Sequence, residues 1–292
     1  MELQWPLILF TTFTAWACGV FGAQGALALK GAGKKSQQLL AVMSCALLAI
    51  GGICVFFHLQ HWERIFNGFG NITSGITQEL IAIIVFVAIA AAYFTMCRKS
   101  SDGGTVPKWA AWTAIVISIV LAAVCAHSYM MPARPAWNSV LEILSIVGNA
   151  CLLGPATVAV VMALRGDSLD SVGLPALAGA AIGAACTAAY ATFMQISTGA
   201  FTLVGRYFDP NNPTKAVTDI AATAGDQTAL LWAGAVLVGC LIPLACCLLA
   251  KRREGASAWK VFGCVAVATA LVGAVCLRIA FYNMGLSLFM FY

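Results

Sequence analysis

The chain has 292 residues, of which 61% are hydrophobic and 9% are charged, with a formal net charge of +5. Soluble domains carry about 25% charged residues, so this composition indicates a membrane protein and excludes an ordinary soluble domain. The longest basic run is Lys251–Arg253. A run this short does not form a nucleic-acid patch, so we expect no nucleic-acid partner.

Apolar runs of membrane-spanning length recur along the whole chain. A bilayer core of about 30 Å requires about twenty helical residues, and α-helices satisfy every backbone polar group within one segment. The sequence therefore predicts an all-α integral membrane protein, a bundle of eight transmembrane helices that forms a single domain over residues 1–292. The predicted helices are roughly 6–29, 38–58, 78–97, 109–131, 139–164, 173–196, 228–250 and 259–282.

The distribution of lysine and arginine predicts the orientation. Loops after the first, third, fifth and seventh predicted helices contain Lys30, Lys34, Lys35, Arg98, Lys99, Lys108, Arg165, Lys251, Arg252, Arg253 and Lys260. The other loops contain only Arg64, Arg134, Arg206 and Lys215. Because cytoplasmic loops are enriched in basic residues, we expect both termini on the outer, periplasmic side of a bacterial inner membrane.

The twelve cysteines lie in apolar runs or at the end of one, and no C-x-x-C motif occurs. Zinc and iron–sulfur sites use such spacings, so we expect no bound metal. Small, polarizable side chains suit close helix contacts, and the sequence predicts that role for the cysteines.

Five ionisable residues near the ends of the predicted helices lie toward the outer face. They are His58, Glu79, His127, Glu142 and Arg278. Ion and proton pathways usually place such residues near the middle of the membrane, so the pattern disfavours a transporter, which stays an alternative. A polar cluster at one face instead predicts a pocket entered from the membrane.

Several of these residues also have ordinary structural interpretations. Ser139 and Glu142 form an S-x-x-E capping box, and Thr77 is a suitable N-cap that would place Glu79 beside a helix dipole. Arg278 suits an arginine that extends to the lipid head groups. These interpretations predict helix-end roles.

His58 follows the apolar Phe56–Phe57 pair, so we expect it at the membrane–water boundary. Histidine takes up and releases protons near neutral pH, and a lipid-soluble quinol releases two protons when it loses two electrons. A base at the depth of the quinol head group would serve this chemistry. Glu79 begins the next helix and can approach His58 across one outer loop, while Arg64 could balance the carboxylate charge.

Haem is the competing interpretation of the histidines. A bis-histidine haem requires two imidazoles on facing helices, and the pair that fits best is His58 and His127. A haem-b-containing quinol-oxidising anchor is therefore an alternative.

Five stretches carry a resemblance to a known family. They are WPLILFTTF from Trp5, LALKG from Leu27, HLQHWERIFNGF from His58, TQEL from Thr77 and RIAFYNMGLS from Arg278. In these five stretches the chain resembles the membrane anchor subunit family of bacterial dimethyl sulfoxide reductase. The chain departs from the family where Gln60, His61 and Trp62 replace a Leu-Gly turn and a proline, so His61 becomes a second potential proton acceptor.

The resemblance implies a function in anaerobic electron transport. Such anchors carry no cofactor, oxidise menaquinol near the outer face, and pass electrons to an iron–sulfur subunit that feeds a molybdopterin catalytic subunit. The resemblance assigns the quinol site to His58 and Glu79, with Arg64 and Arg278 as nearby basic residues. We expect the partner subunits to dock on the outer helix ends and the loops 59–77 and 197–227. Terminal reduction would occur in the partner, so this chain would be a non-catalytic subunit of the oxidoreductase.

Overall fold

The computed structural model describes residues 4–59, 61, 67, 69–132, 134–196, 220–253 and 255–285. These ranges are helical, without a strand, and contain eight helices of membrane-spanning length and composition. The prediction of an eight-helix bundle is confirmed. The helices are α1 (Trp5–Leu29), α2 (Gln37–Phe56), α3 (Gly75–Lys99), α4 (Lys108–His127), α5 (Val140–Arg165), α6 (Gly173–Ile196), α7 (Ala222–Arg253) and α8 (Ala256–Asn283).

Some helix ends differ from the predicted positions. The third helix begins at Gly75, after Ser74 at the N-cap position, so Thr77 is not a cap. Glu79 consequently lies inside α3 and beyond its first turn, and the predicted helix-dipole role for Glu79 is wrong. The fourth helix ends at His127, four residues earlier than expected, which leaves a longer connection to α5.

Because successive helices run in opposite directions, the bundle has two distinct ends. We call the end where α1 begins and α8 finishes the terminal face, and the opposite end the basic face. The basic face carries the lysine-rich and arginine-rich connections, including Lys251–Arg253 at the end of α7. The assignment of the terminal face to the periplasm stays a prediction.

Helices α1 and α5 occupy the centre of the bundle. The first helix packs against α2, α4, α5 and α8, and the fifth packs against α1, α4, α6 and α8. These two helices are accordingly the most buried of the eight. The central position explains why α5 tolerates Pro155 in its interior, since neighbouring helices and side chains can satisfy backbone groups that a proline frees.

Glycine allows the closest helix approaches. A Cβ on Gly19 of α1 or Gly154 of α5 would collide with the backbone of the other helix, and the same holds for Gly239 of α7 and Gly273 of α8. Small residues let helix backbones meet in membranes, where packing replaces the hydrophobic effect as the main attraction.

The cysteines share these helix contacts. All twelve are unpaired. Cys186 of α6 packs against Gly148 of α5, and Cys276 of α8 packs against Gly234 of α7. No cluster of three or more His, Cys, Asp or Glu suited to a metal was found among the described residues. The contacts support the predicted packing role of the cysteines.

Polar contacts join the loops of the basic face. Asp102, after α3, pairs with Lys34 at 2.7 Å, and Asp167, after α5, accepts a hydrogen bond of 2.6 Å from Ser36. Gln38 donates to the Gly103 carbonyl oxygen at 2.7 Å. The α1–α2 connection is therefore held by both neighbouring loops.

Candidate functional site

A cavity of about 440 Å³ lies at the terminal face. Ligand pockets in proteins span about 300–1,000 Å³, so the cavity could hold a small aromatic molecule. Its walls come from the start of α1, the end of α2, the start of α3, the α4–α5 connection and the end of α8. The lining residues are Gln4, Leu7, Phe10, Val55, His58, Leu59, Ile76, Glu79, Ser128, Tyr129, Met131, Arg134, Trp137, Tyr282 and Asn283.

Glu79 contributes a buried carboxylate to this cavity, with 8% of the residue exposed. Gly75 and Glu79 are four residues apart on one face of α3, and a Cβ on Gly75 would lie 2.9 Å from the Cα atom of Ser128. This close approach brings Glu79 to the end of α4. The Ser128 hydroxyl lies 3.5 Å from Glu79 Oε2, whereas Oε1 has no hydrogen-bond partner among the described residues.

His58 lies at the rim of the cavity. Helix α2 ends at Phe56, and the His58 N–H then donates to the Val55 carbonyl oxygen at 2.9 Å. This turn holds His58 just beyond the end of α2, and its position at the membrane–water boundary stays a prediction. The histidine is exposed, as are the neighbouring apolar residues Phe57 and Ile76, so the rim between α2 and α3 presents apolar side chains to the surroundings.

Arg134 and Trp137 form a second wall in the α4–α5 connection. The guanidinium lies over the indole ring, 4.4 Å from its centroid, and Nη1 donates to the Gly285 carbonyl oxygen at 2.7 Å. Trp137 stacks on Phe281 of α8, with 4.6 Å between the ring centroids, and its indole N–H donates to the Phe281 carbonyl oxygen at 2.7 Å. The connection is thereby fixed to the end of α8.

Tyr129 and Tyr282 complete this aromatic wall, with 5.9 Å between their ring centroids. Burial raises the pKa of Tyr129 well above its ordinary value, so its hydroxyl stays protonated. Burial lowers the pKa of Arg134, but arginine remains charged in proteins. At physiological pH this wall therefore presents neutral phenols and one cation.

Arg278 does not line the cavity. It is 2% exposed, and its guanidinium pairs with Glu142 Oε1 at 2.5 Å and donates to Ser145 at 2.8 Å. The expected contact with lipid head groups is therefore wrong. The capping-box prediction is only half right, because Ser139 caps α5 through the Leu141 N–H while the Glu142 side chain pairs with Arg278.

The structure brings two of the five predicted quinol-site residues to the cavity, namely His58 and Glu79. It does not bring Arg278 or His61 there, and Arg64 lies outside the described residues. The predicted haem partner His127 is exposed and is not part of the cavity wall. Most of the expected docking loops 59–77 and 197–227 also lies outside the described residues.

Sequence reasoning missed Arg134, Trp137 and Tyr282 as cavity residues. In the sequence Arg134 is one of four basic residues in the outer loops, and it lies between Pro132 and Pro135, residues that restrict the backbone. Tyr282 belongs to a stretch noted for its family resemblance but not for its side-chain chemistry.

Eight membrane-length helices and a ligand-sized cavity at one end of the bundle, with a few polar groups in a mainly apolar lining, define a multi-pass α-helical membrane protein with a candidate binding site at one face. The model of the family described as DMSO reductase anchor subunit (DmsC) matches residues 1–286, and the chain belongs to this family. Membership makes it the membrane anchor of a DMSO reductase-type complex, with catalytic and iron–sulfur subunits as partners. No curated protein matches the chain significantly.

Proposed function

We propose that this anchor oxidises menaquinol in the terminal-face cavity and passes the electrons to the iron–sulfur subunit. The observation that carries the proposal is the convergence of His58 and Glu79 on one cavity of ligand size. The exposed apolar rim at Phe57 and Ile76 suits a substrate that arrives from the lipid. The proposed location is the bacterial inner membrane, with the terminal face toward the periplasm.

Quinol oxidation releases two protons and two electrons. His58, at the rim, accepts protons from the quinol and releases them outward, while Glu79 orients the hydroxyl or relays a proton. The two electrons leave for the partner's iron–sulfur clusters and then for its molybdopterin site. No covalent bond forms between the chain and the quinol, and the product is the quinone.

In this proposal protons and electrons leave on the same side of the membrane. The anchor therefore moves no net charge across the bilayer. Liposomes that contain the complex and a voltage-sensitive dye measure this directly during quinol oxidation. We expect no membrane potential, and a sustained potential would contradict the proposed arrangement.

We further propose that the chain itself binds no cofactor. A haem between His58 and another histidine would occupy the residue that the quinol requires. A reduced-minus-oxidised absorption spectrum of the purified complex tests this point, since a b-type haem gives a sharp band. Such a band, lost on His58→Arg, would favour the haem-containing anchor instead.

Binding of a fluorescent hydroxyquinoline N-oxide, a quinol analogue, to membranes with the intact complex tests the site. We expect His58→Arg and Glu79→Gln each to weaken binding by tenfold or more, because each removes a group that contacts the head group. His127→Gln is the matched control, since His127 lies at the same face but does not line the cavity.

The amount of membrane-bound reductase reports assembly in each variant. Lost binding with intact assembly supports the quinol site. Binding that survives both substitutions would place the quinol elsewhere and remove the basis of the proposal.

A further inference from the structure

Polar atoms without partners are concentrated at the cavity. Six buried side-chain polar atoms in the described part of the chain lack a hydrogen-bond partner, and three of them belong to cavity-lining residues. These three are Glu79 Oε1, Arg134 Nε and the Tyr282 hydroxyl oxygen. The Cys125 thiol lies near Glu79 and the Tyr129 hydroxyl near Tyr282, but neither contact meets hydrogen-bond geometry at these atoms. Nearly all buried polar groups in proteins are hydrogen-bonded, so exceptions gathered at one cavity point to a polar ligand there.

The three atoms differ in what they offer. Arginine Nε donates only, and a phenol can donate, whereas an ionised carboxylate accepts only. Arg134 and Tyr282 therefore supply two donors, and Glu79 supplies an acceptor. A ligand that matches this set carries one hydroxyl that donates and a second oxygen that accepts.

Different groups of helices carry the donors and the acceptor. Glu79 lies on α3, which packs against α2 and α4. Tyr282 lies on α8, which packs against α1, α5 and, most extensively, α7. Arg134 is joined to this second group through Gly285 and Trp137. The polar groups are thus fixed on two walls of the cavity and not on one.

The donor wall is held rigidly before any ligand arrives. Arg134 Nη1 donates to the Gly285 carbonyl oxygen, which fixes the guanidinium, and Nε has no partner among the described residues. A Cβ on Gly285 would collide with the Trp137 ring, so only glycine permits this close contact. The Tyr282 ring lies edge-on against Trp137, Tyr129 and Phe281. Preorganised donors bind with little loss of conformational entropy.

We propose that Arg134 and Tyr282 form a second pole of the quinol site, which binds the ring oxygen remote from Glu79. This inference rests on the proposed function. The two donors hold the second oxygen both as a quinol hydroxyl and as a quinone carbonyl, because each form accepts hydrogen bonds. The pole takes up no proton and acts by positioning the head group between two walls.

The test compares two ligands that differ by one oxygen. A hydroxyquinoline N-oxide carries two oxygens across its ring, and the parent 4-hydroxyquinoline lacks the second one. In membranes with the intact wild-type complex, we expect the N-oxide to bind about tenfold more tightly, as hydrogen bonds with a charged donor allow. Tyr282→Phe and Arg134→Gln should reduce this preference to about twofold or less, by weakening N-oxide binding alone.

Tyr282→Phe retains the ring that packs in the wall, so its effect isolates the hydroxyl. Tyr93→Phe and Arg98→Gln are matched controls at or toward the basic face, and both should keep the wild-type preference for the N-oxide over 4-hydroxyquinoline.

If Tyr282→Phe and Arg134→Gln also keep this preference, the second pole does not exist. If these variants keep the preference while His58→Arg and Glu79→Gln lose binding, only this inference fails. If none of the four affects binding, the proposed function fails too.

Discussion

Two buried glutamates near the terminal face differ in their surroundings. Glu142, three residues into α5, has both oxygens engaged, by Arg278 at 2.5 Å and by Ser145 at 3.2 Å. Glu79, five residues into α3, lines a cavity and has one oxygen 3.5 Å from Ser128, while the other has no partner among the described residues. Depth and residue type are similar, but only Glu142 has its hydrogen bonding completed by the protein.

This difference separates a structural acid from a binding acid. A buried carboxylate with a full set of partners fixes the packing of two helices, here α5 and α8. A carboxylate that lines a cavity and keeps one oxygen without a partner retains the capacity to bind another molecule. The comparison predicts that substitutions at Glu142 and Arg278 change folding, whereas substitutions at Glu79 change function.

The largest effect on stability is expected from Arg278→Met. Removing one member of a buried pair leaves an uncompensated charge, which costs about 3–5 kcal/mol of unfolding free energy. We expect a strong loss of assembled complex in membranes and early thermal unfolding in detergent. Arg98→Met, at an exposed arginine of the basic face, is the control. A stable Arg278→Met complex would show that Glu142 does not depend on its partner.

Replacing both Glu142 and Arg278 with apolar residues should recover much of the stability that Arg278→Met loses. In Glu142→Leu combined with Arg278→Met no charge is left buried, and apolar replacement of a buried pair is often neutral. A double-mutant cycle on thermal unfolding should give a coupling of about 2 kcal/mol or more. Additive effects would mean that the two side chains act independently, against the observed geometry.

Glu79→Gln should have a smaller effect on stability but a large effect on function. Glutamine keeps the shape and can still contact Ser128, so we expect little change in the thermal midpoint. Quinol-dependent reduction should fall by about 100-fold, as expected for loss of an acid–base group. A variant that unfolds as readily as Arg278→Met would assign Glu79 a structural role and remove the contrast with Glu142.

The helical part of the fold could be predicted from the sequence because hydropathy and length alone identify spanning helices. The convergence of His58 and Glu79 was also predictable, since both lie at the same face, on the two helices that one connection joins. Both glutamates and Arg278 were assigned to one face by topology. Their pairing was not predictable, because hydropathy does not specify which helices are neighbours.

The donor wall was missed for the same reason. Arg134 and Tyr282 are far apart in sequence, and they meet through Trp137 and Gly285, a contact that requires α8 to end beside the α4–α5 connection. Local patterns report on spacing along one helix and carry no information about such a contact. The prolines on both sides of Arg134 were the one available sign that its position is restricted.

The smallest effect is expected at the basic face, where Asp102 pairs with Lys34 in an exposed site. Lys34 and then Thr105 hold the pKa of Asp102 below its ordinary value, which is about 4. The interaction therefore stabilises the folded state above that pH and is lost as the pH falls toward the lower folded-state pKa.

Exposed pairs contribute little, so Asp102→Asn should lower the thermal midpoint by about 2 °C or less at pH 7. The difference from wild type should shrink below about pH 4 and in high salt. A difference that persists in acid and salt would mean that Asp102 acts through its loop hydrogen bonds to Thr105 and Gly104, which an asparagine only partly replaces.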